Sequence, residues 1–171
     1  VIQMDYRGST GYGRKEMMLA NHEMGKSMQE DKYDALFWAN EQGYVDMNNV
    51  CISGASYGGY AAMQAATKSP EIFKCIIAYV GVYDLTSSDL RGLQWSELSQ
   101  PMEYIEKGNP RDPEDYKNLY ENSPLFFAEN VEDPVLIITG RRDSQVRFQE
   151  TVDMVNAVSY THLRAHETAQ Y

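Results

Sequence analysis

Residues 54–58 read Gly-Ala-Ser-Tyr-Gly, and no other stretch of the 171-residue chain restricts the fold as tightly. The pentapeptide follows the short apolar run Val50-Cys51-Ile52-Ser53 and leads into the Ala-rich run from Gly59 to Lys68. Strand, sharp turn and helix in that order form a setting in which a central serine is lifted out of the backbone. Such a serine takes a left-handed conformation, which favours neighbours without side chains two residues to either side. The hydroxyl of Ser56 is then presented at the carboxyl end of the strand. The following helix start favours developing negative charge there, and the backbone N–H of Tyr57 becomes a donor for an oxyanion. A plain Gly/Ser turn is the competing reading, and the flanking strand and helix argue against it.

The rest of the chain repeats this alternation. Apolar, β-branched-rich runs at 1–4, 50–53, 75–80 and 135–139 have the near-continuous pattern of parallel strands covered on both faces. Helical patterns occupy 26–42, 59–68 and 148–157, with Gly43 and Ser69-Pro70 as stop signals. Strands alternating with helices imply an α/β class with a mostly parallel sheet and helices on both faces. The polar, turn-rich stretch 83–130 reads as an inserted set of short helices and loops over one end of the sheet.

Composition narrows the function. A 43% apolar content supports a real core. A net charge of −10 disfavours nucleic acid as a partner, since an acidic chain repels phosphate. No apolar run approaches the length of a membrane span. Cys51 and Cys75 lie in strand-like runs and are expected to be buried, separate thiols. No His/Cys/carboxylate cluster has metal-ligand spacing, and the glycines at 8–13 match neither a dinucleotide fingerprint nor a P-loop. No cofactor and no metal are expected.

A serine nucleophile needs a base, and the base an orienting carboxylate. Asp143 follows the run 135–139 and the turn Gly140-Arg141-Arg142, so it leaves the sheet at the same end as Ser56. Asp84, after the preceding run, is the rival acid. Of the three histidines, His22 precedes the serine, against the chain order Ser, Asp, His, and is expected on a surface helix. His162 and His166 follow no strand. The stretch from Ser159 resembles translated sequencing-adaptor read-through. The division expected is therefore 1–158 as a partial catalytic domain and 159–171 as a non-native tail.

Three segments carry a specific resemblance: Asp5-Tyr6-Arg7-Gly8-Ser9-Thr10-Gly11-Tyr12-Gly13, Gly54-Ala55-Ser56-Tyr57-Gly58-Gly59-Tyr60 and Gly140-Arg141-Arg142-Asp143-Ser144-Gln145-Val146. Over about residues 1–157 the chain resembles the prolyl oligopeptidase family, which includes dipeptidyl and acylaminoacyl peptidases. The resemblance implies an α/β-hydrolase fold, here truncated at both ends, and a serine peptidase acting on short peptides. Ser56 would attack the carbonyl, Asp143 would orient the histidine and the Tyr57 N–H would bind the oxyanion. Val82, Leu85, Gln145 and Val146 fall where relatives place substrate-pocket residues. In relatives the histidine lies about thirty residues beyond the acid, which here is past Tyr171. A full-length relative also carries an N-terminal β-propeller that admits only short peptides. The expectation is therefore a peptidase whose 171-residue portion is inactive alone. A carboxylesterase or lipase of the same fold is the alternative, since acyl transfer to serine is common to both.

Overall fold

The computed structural model describes residues 1–87 and 105–160. Three strands, β1 (Cys51–Ala55), β2 (Cys75–Tyr79) and β3 (Val135–Ile138), form one parallel sheet in the order β1-β2-β3. The helices are α1 (Arg14–Met18), α2 (Ser27–Glu41), α3 (Tyr57–Lys68), α4 (Pro113–Glu121) and α5 (Phe148–Tyr160). Short 3₁₀ helices span Met47–Asn49 and Pro124–Asn130.

Each main element arises where its sequence pattern places it. Every residue of α3 from Gly59 to Thr67 is buried, as suits a helix that is small and apolar on all sides. It ends before Ser69-Pro70, because a residue preceding proline is pushed out of the helical region. The start of α2 lacks a cap from its own N-cap residue, Lys26. Instead Glu23 supplies one, its Oε2 accepting from the Ser27 N–H at 3.3 Å and the Ser27 hydroxyl at 2.6 Å. At α4, Asp112 accepts the N–H groups of Glu114 and Asp115, and Pro113 occupies the first turn, where its missing N–H costs nothing.

The main core joins Ala62, Met63 and Ala66 of α3, Ile76 and Ala78 of β2, Val135 and Ile137 of β3, and Met154 and Val158 of α5. α3 and α5 thus cover the same sheet face. Among the described residues the opposite face stays open: Cys51, Ser53 and Ala55 are exposed, and Tyr79 is 48% exposed.

Two expectations are corrected. Residues 1–4 form no strand: Val1 and Ile2 are exposed, and a cleft of about 580 Å³ lies between residues 1–4 and the edge of β1. β-branched character records a tendency toward extended backbone, but a strand also needs a hydrogen-bonded neighbour. Cys51 and Cys75 are not separate thiols. They are register partners on β1 and β2, with Cα atoms 4.6 Å apart, and form a disulfide. Among the described residues no helix is long and apolar enough to cross a membrane.

Candidate active site

Ser56 sits between β1 and α3 with φ 54° and ψ −116°, a conformation that costs a side-chain-bearing residue of order 1–3 kcal/mol. Its N–H donates to the Tyr79 carbonyl at 2.9 Å, and its carbonyl accepts the Tyr60 N–H at 3.0 Å. The strained residue is thereby held from both sides. A Cβ on Gly54 would lie 2.6 Å from the carbonyl of Gly58, so strand and helix meet there with no room for a methyl group. A Cβ on Gly59 would lie 2.5 Å from the Tyr79 oxygen. A Cβ on Gly58 would meet nothing within 4 Å. The demand for bare backbone thus falls on Gly54 and Gly59, and not on both motif glycines as the sequence suggested.

The Tyr57 N–H opens α3 and donates to no backbone carbonyl among the described residues. The Tyr57 ring packs between Tyr6 and Tyr60, with centroids 5.4 Å and 5.6 Å away. Burial pushes its phenol well above the usual range. The Lys32 ammonium lies 4.0 Å above the Tyr6 ring and 5.2 Å from the Tyr57 ring. Burial lowers the Lys32 pKa to about 8, against a smaller upward pull from Asp31. Tyr6 is held there by the next residue. Arg7 grips Asp31 of α2 through its backbone N–H at 2.9 Å and its guanidinium at 2.8 Å and 2.6 Å.

Asp143 lies beyond the end of β3. Tyr79 and Ile138 are register partners, and the Val80 N–H donates to the Ile138 carbonyl at 2.8 Å. Ser56 and Asp143 therefore leave the sheet at one end with only β2 between their strands, whose ends are about 10 Å apart. Asp143 Oδ1 accepts the N–H groups of Gln145 at 2.7 Å and Val146 at 2.9 Å, which fixes the turn. Its Oδ2 has no hydrogen-bond partner among the described residues. Asp84 is occupied locally: its Oδ1 accepts the Thr86 N–H at 2.8 Å and the Thr86 hydroxyl at 2.6 Å.

The remaining residues separate. Val82 is half-buried and Gln145 exposed beside these turns. Leu85 is 1% exposed, packed with Tyr60, Ala61 and Leu119, and Val146 is 4% exposed. Those two side chains are part of the core and offer no open surface. His22 is a turn residue with φ 59°, not a helical one, and its Nδ1 lies 3.4 Å from Asp115 Oδ1. His162 and His166, with most of the expected tail, lie outside the described residues. Glu150 was not singled out in the sequence. It is buried, and its Oε2 accepts the N–H groups of Tyr83 at 3.1 Å and Asp84 at 3.2 Å. The available signal was its spacing, for Glu150, Met154 and Val158 form one buried stripe along α5. Among the described residues no group of three His, Cys, Asp or Glu side chains could hold a metal ion.

The model of the prolyl oligopeptidase family matches residues 1–170. The chain belongs to that family. It is 34% identical over 159 residues to dipeptidyl aminopeptidase BIII of Pseudoxanthomonas mexicana, covering 92% of this chain and 23% of the relative. It is 33% identical over 165 residues to dipeptidyl peptidase family member 6 of Caenorhabditis elegans, covering 95% of this chain and 22% of the relative. The chain thus spans less than a quarter of the length of these curated relatives. The solved structure of a Mycobacterium tuberculosis puromycin-hydrolyzing peptidase superimposes with a TM-score of 0.85 at 26% identity, covering 95% of this chain and 24% of that one. The fold of this family member is accordingly that of the α/β-hydrolases.

Proposed function

We propose that the complete protein is a serine peptidase that cleaves short peptides through an acyl-enzyme on Ser56. The observation that carries this reading is the strained Ser56 backbone, anchored to Tyr79 and set at the start of α3. A hydroxyl held there attacks a peptide carbonyl while its proton passes to an imidazole. The oxyanion that forms is met by the Tyr57 N–H. The Asp143 Oδ2 accepts from the imidazole N–H and stabilises the imidazolium. The base we assign is a histidine of the complete protein beyond Tyr171, and not His22, which precedes Ser56 in the chain and lies 3.4 Å from Asp115. Without it Ser56 loses most of its activation, so the 171-residue chain alone is expected to be inactive. Val82 and Gln145 are the proposed substrate contacts, and a β-propeller restricting access to short peptides is the proposed partner domain. The names of the peptidases that the chain resembles support a peptide substrate over a simple ester.

The test uses the full-length gene. Wild-type protein should hydrolyse a peptide anilide in preference to a short acyl ester, and Ser56→Ala should hydrolyse neither. Near-normal turnover by the Ala variant ends the assignment of Ser56, and preference for the ester ends the peptidase reading.

A further inference from the structure

The segment that leaves β2 has an unusual supply of hydrogen bonds. Val80 sits at φ 46°, a left-handed conformation that a β-branched residue rarely adopts. From there the chain leaves the sheet, and its N–H groups must find partners elsewhere. Val80 still donates to the Ile138 carbonyl at 2.8 Å, and Leu85 donates to the Ser123 hydroxyl at 2.8 Å. Two of the N–H groups between them, those of Tyr83 and Asp84, converge on one carboxylate oxygen of Glu150, 67 and 66 residues away in sequence. The other oxygen, Oε1, lies 3.5 Å from Arg147 Nη2, which also donates to Ser87 Oγ at 3.2 Å. Arg147 immediately follows the Asp143 turn, and Glu150 is in the first turn of α5.

One buried acid therefore ties the segment bearing Val82 to the start of α5, which directly follows the turn bearing Asp143 and Gln145. Burial pushes the Glu150 carboxyl up, while the two N–H bonds and Arg147 pull it down. Asp84 opposes its ionisation from the loop side. A carboxylate so placed is not needed for packing. An apolar residue would continue the Met154–Val158 stripe without desolvating a charge.

We propose that Glu150 is a positioning residue: its carboxylate clamps the segment after β2 against the start of α5 and so holds Val82 in register with the Asp143 turn for substrate binding. The bearing on substrate rests on the peptidase reading given above; the clamp itself does not. Among the described residues Glu150 has no hydrogen bond or ion pair with Ser56 or Asp143, so its loss should raise KM for peptides more than it lowers the reactivity of the serine.

The experiment uses the full-length protein with Glu150→Leu, which keeps the volume and removes the acceptors, and Glu150→Gln, which keeps one acceptor oxygen. Hydrogen exchange of the Tyr83 and Asp84 amides reads the clamp directly. Those amides should exchange roughly 10- to 100-fold faster in the Leu variant and within roughly threefold of wild type in the Gln variant. With a peptide anilide, the Leu variant should raise KM by about tenfold, leaving kcat and the rate of fluorophosphonate labelling within roughly threefold; Gln should restore KM. Unchanged amide protection in the Leu variant overturns the clamp. Accelerated exchange with unchanged KM overturns its role in positioning substrate. If Leu does not fold, Glu150→Asp, one methylene too short, takes its place with the same criteria. If the wild-type protein cleaves no peptide, the peptidase reading fails, and the exchange rates alone decide the clamp.

Discussion

Adding one methyl group at Gly59 should damage the site, while the same change one residue earlier should not. A Cβ at position 59 would lie 2.5 Å from the Tyr79 carbonyl oxygen and 3.0 Å from the Gly81 backbone, where ordinary contact begins at 3.4 Å. The obstruction is backbone, so α3 and β2 must separate by about 0.9 Å to accept it. The obstructed oxygen is the one that accepts the Ser56 N–H, so the nucleophile moves with it. Overpacking of this kind costs about 1–3 kcal/mol. The better helix propensity of alanine returns about 1 kcal/mol. A net loss of about 1 kcal/mol lowers Tm by roughly 2–4 °C in a domain of this size. Catalysis should suffer more, because a displacement approaching 1 Å costs about 10²-fold. At Gly58 there is nothing within 4 Å of a Cβ, so Gly58→Ala should keep or raise stability by up to about 1 kcal/mol. Differential scanning calorimetry and fluorophosphonate labelling rates on both full-length variants provide the comparison. If Gly59→Ala labels Ser56 at the wild-type rate while Gly58→Ala unfolds the domain, the steric reasoning is wrong.

Further outcomes follow from the same geometry. Asp143→Asn should reduce kcat by something of order 10⁴-fold, the loss expected when the base is held in the wrong tautomer, whereas Asp84→Asn should disturb only its local turn. The reverse ranking in steady-state assays would show that the acid is misassigned. Lys32 is a base whose folded pKa, about 8, lies below its unfolded value, so the folded state binds fewer protons between those two pH values. Stability therefore rises with pH across that window and is lowest where Lys32 is charged in both states. Lys32→Met should be at least as stable as wild type at pH 7, and the advantage should shrink as pH climbs from 8 toward 10. Denaturant midpoints at pH 7 and 9.5 measure this, and an advantage that grows with pH would contradict the sign.

What the sequence disclosed was mainly local. The elbow at Ser56 was legible because glycine spacing, strand and helix are adjacent in the chain. Ser27–Glu41, Tyr57–Lys68 and Phe148–Tyr160 lie close to their expected limits for the same reason. Non-local facts were harder to read. Nothing in either cysteine's own run tells that residues 51 and 75 share a register. Residues 1–4 have the composition of a strand, but pairing depends on which edge lies beside them. Leu85 and Val146 were placed by position along the chain, and only packing shows that their side chains face inward. Glu150 looked like an ordinary helical glutamate until its stripe was seen to be buried. His22 was expected on a surface helix, yet its backbone turns left-handed and its N–H donates to the Glu106 carbonyl.

The most direct measurement is to treat the full-length protein with a fluorophosphonate, digest it and map the adduct by mass spectrometry. The expected result is a single stoichiometric modification on the peptide that contains Ser56, lost when Asp143 is changed to Asn under the same brief exposure. An adduct at another serine, or none on a protein that still cleaves peptides, would contradict the assignment of Ser56 as the acyl carrier.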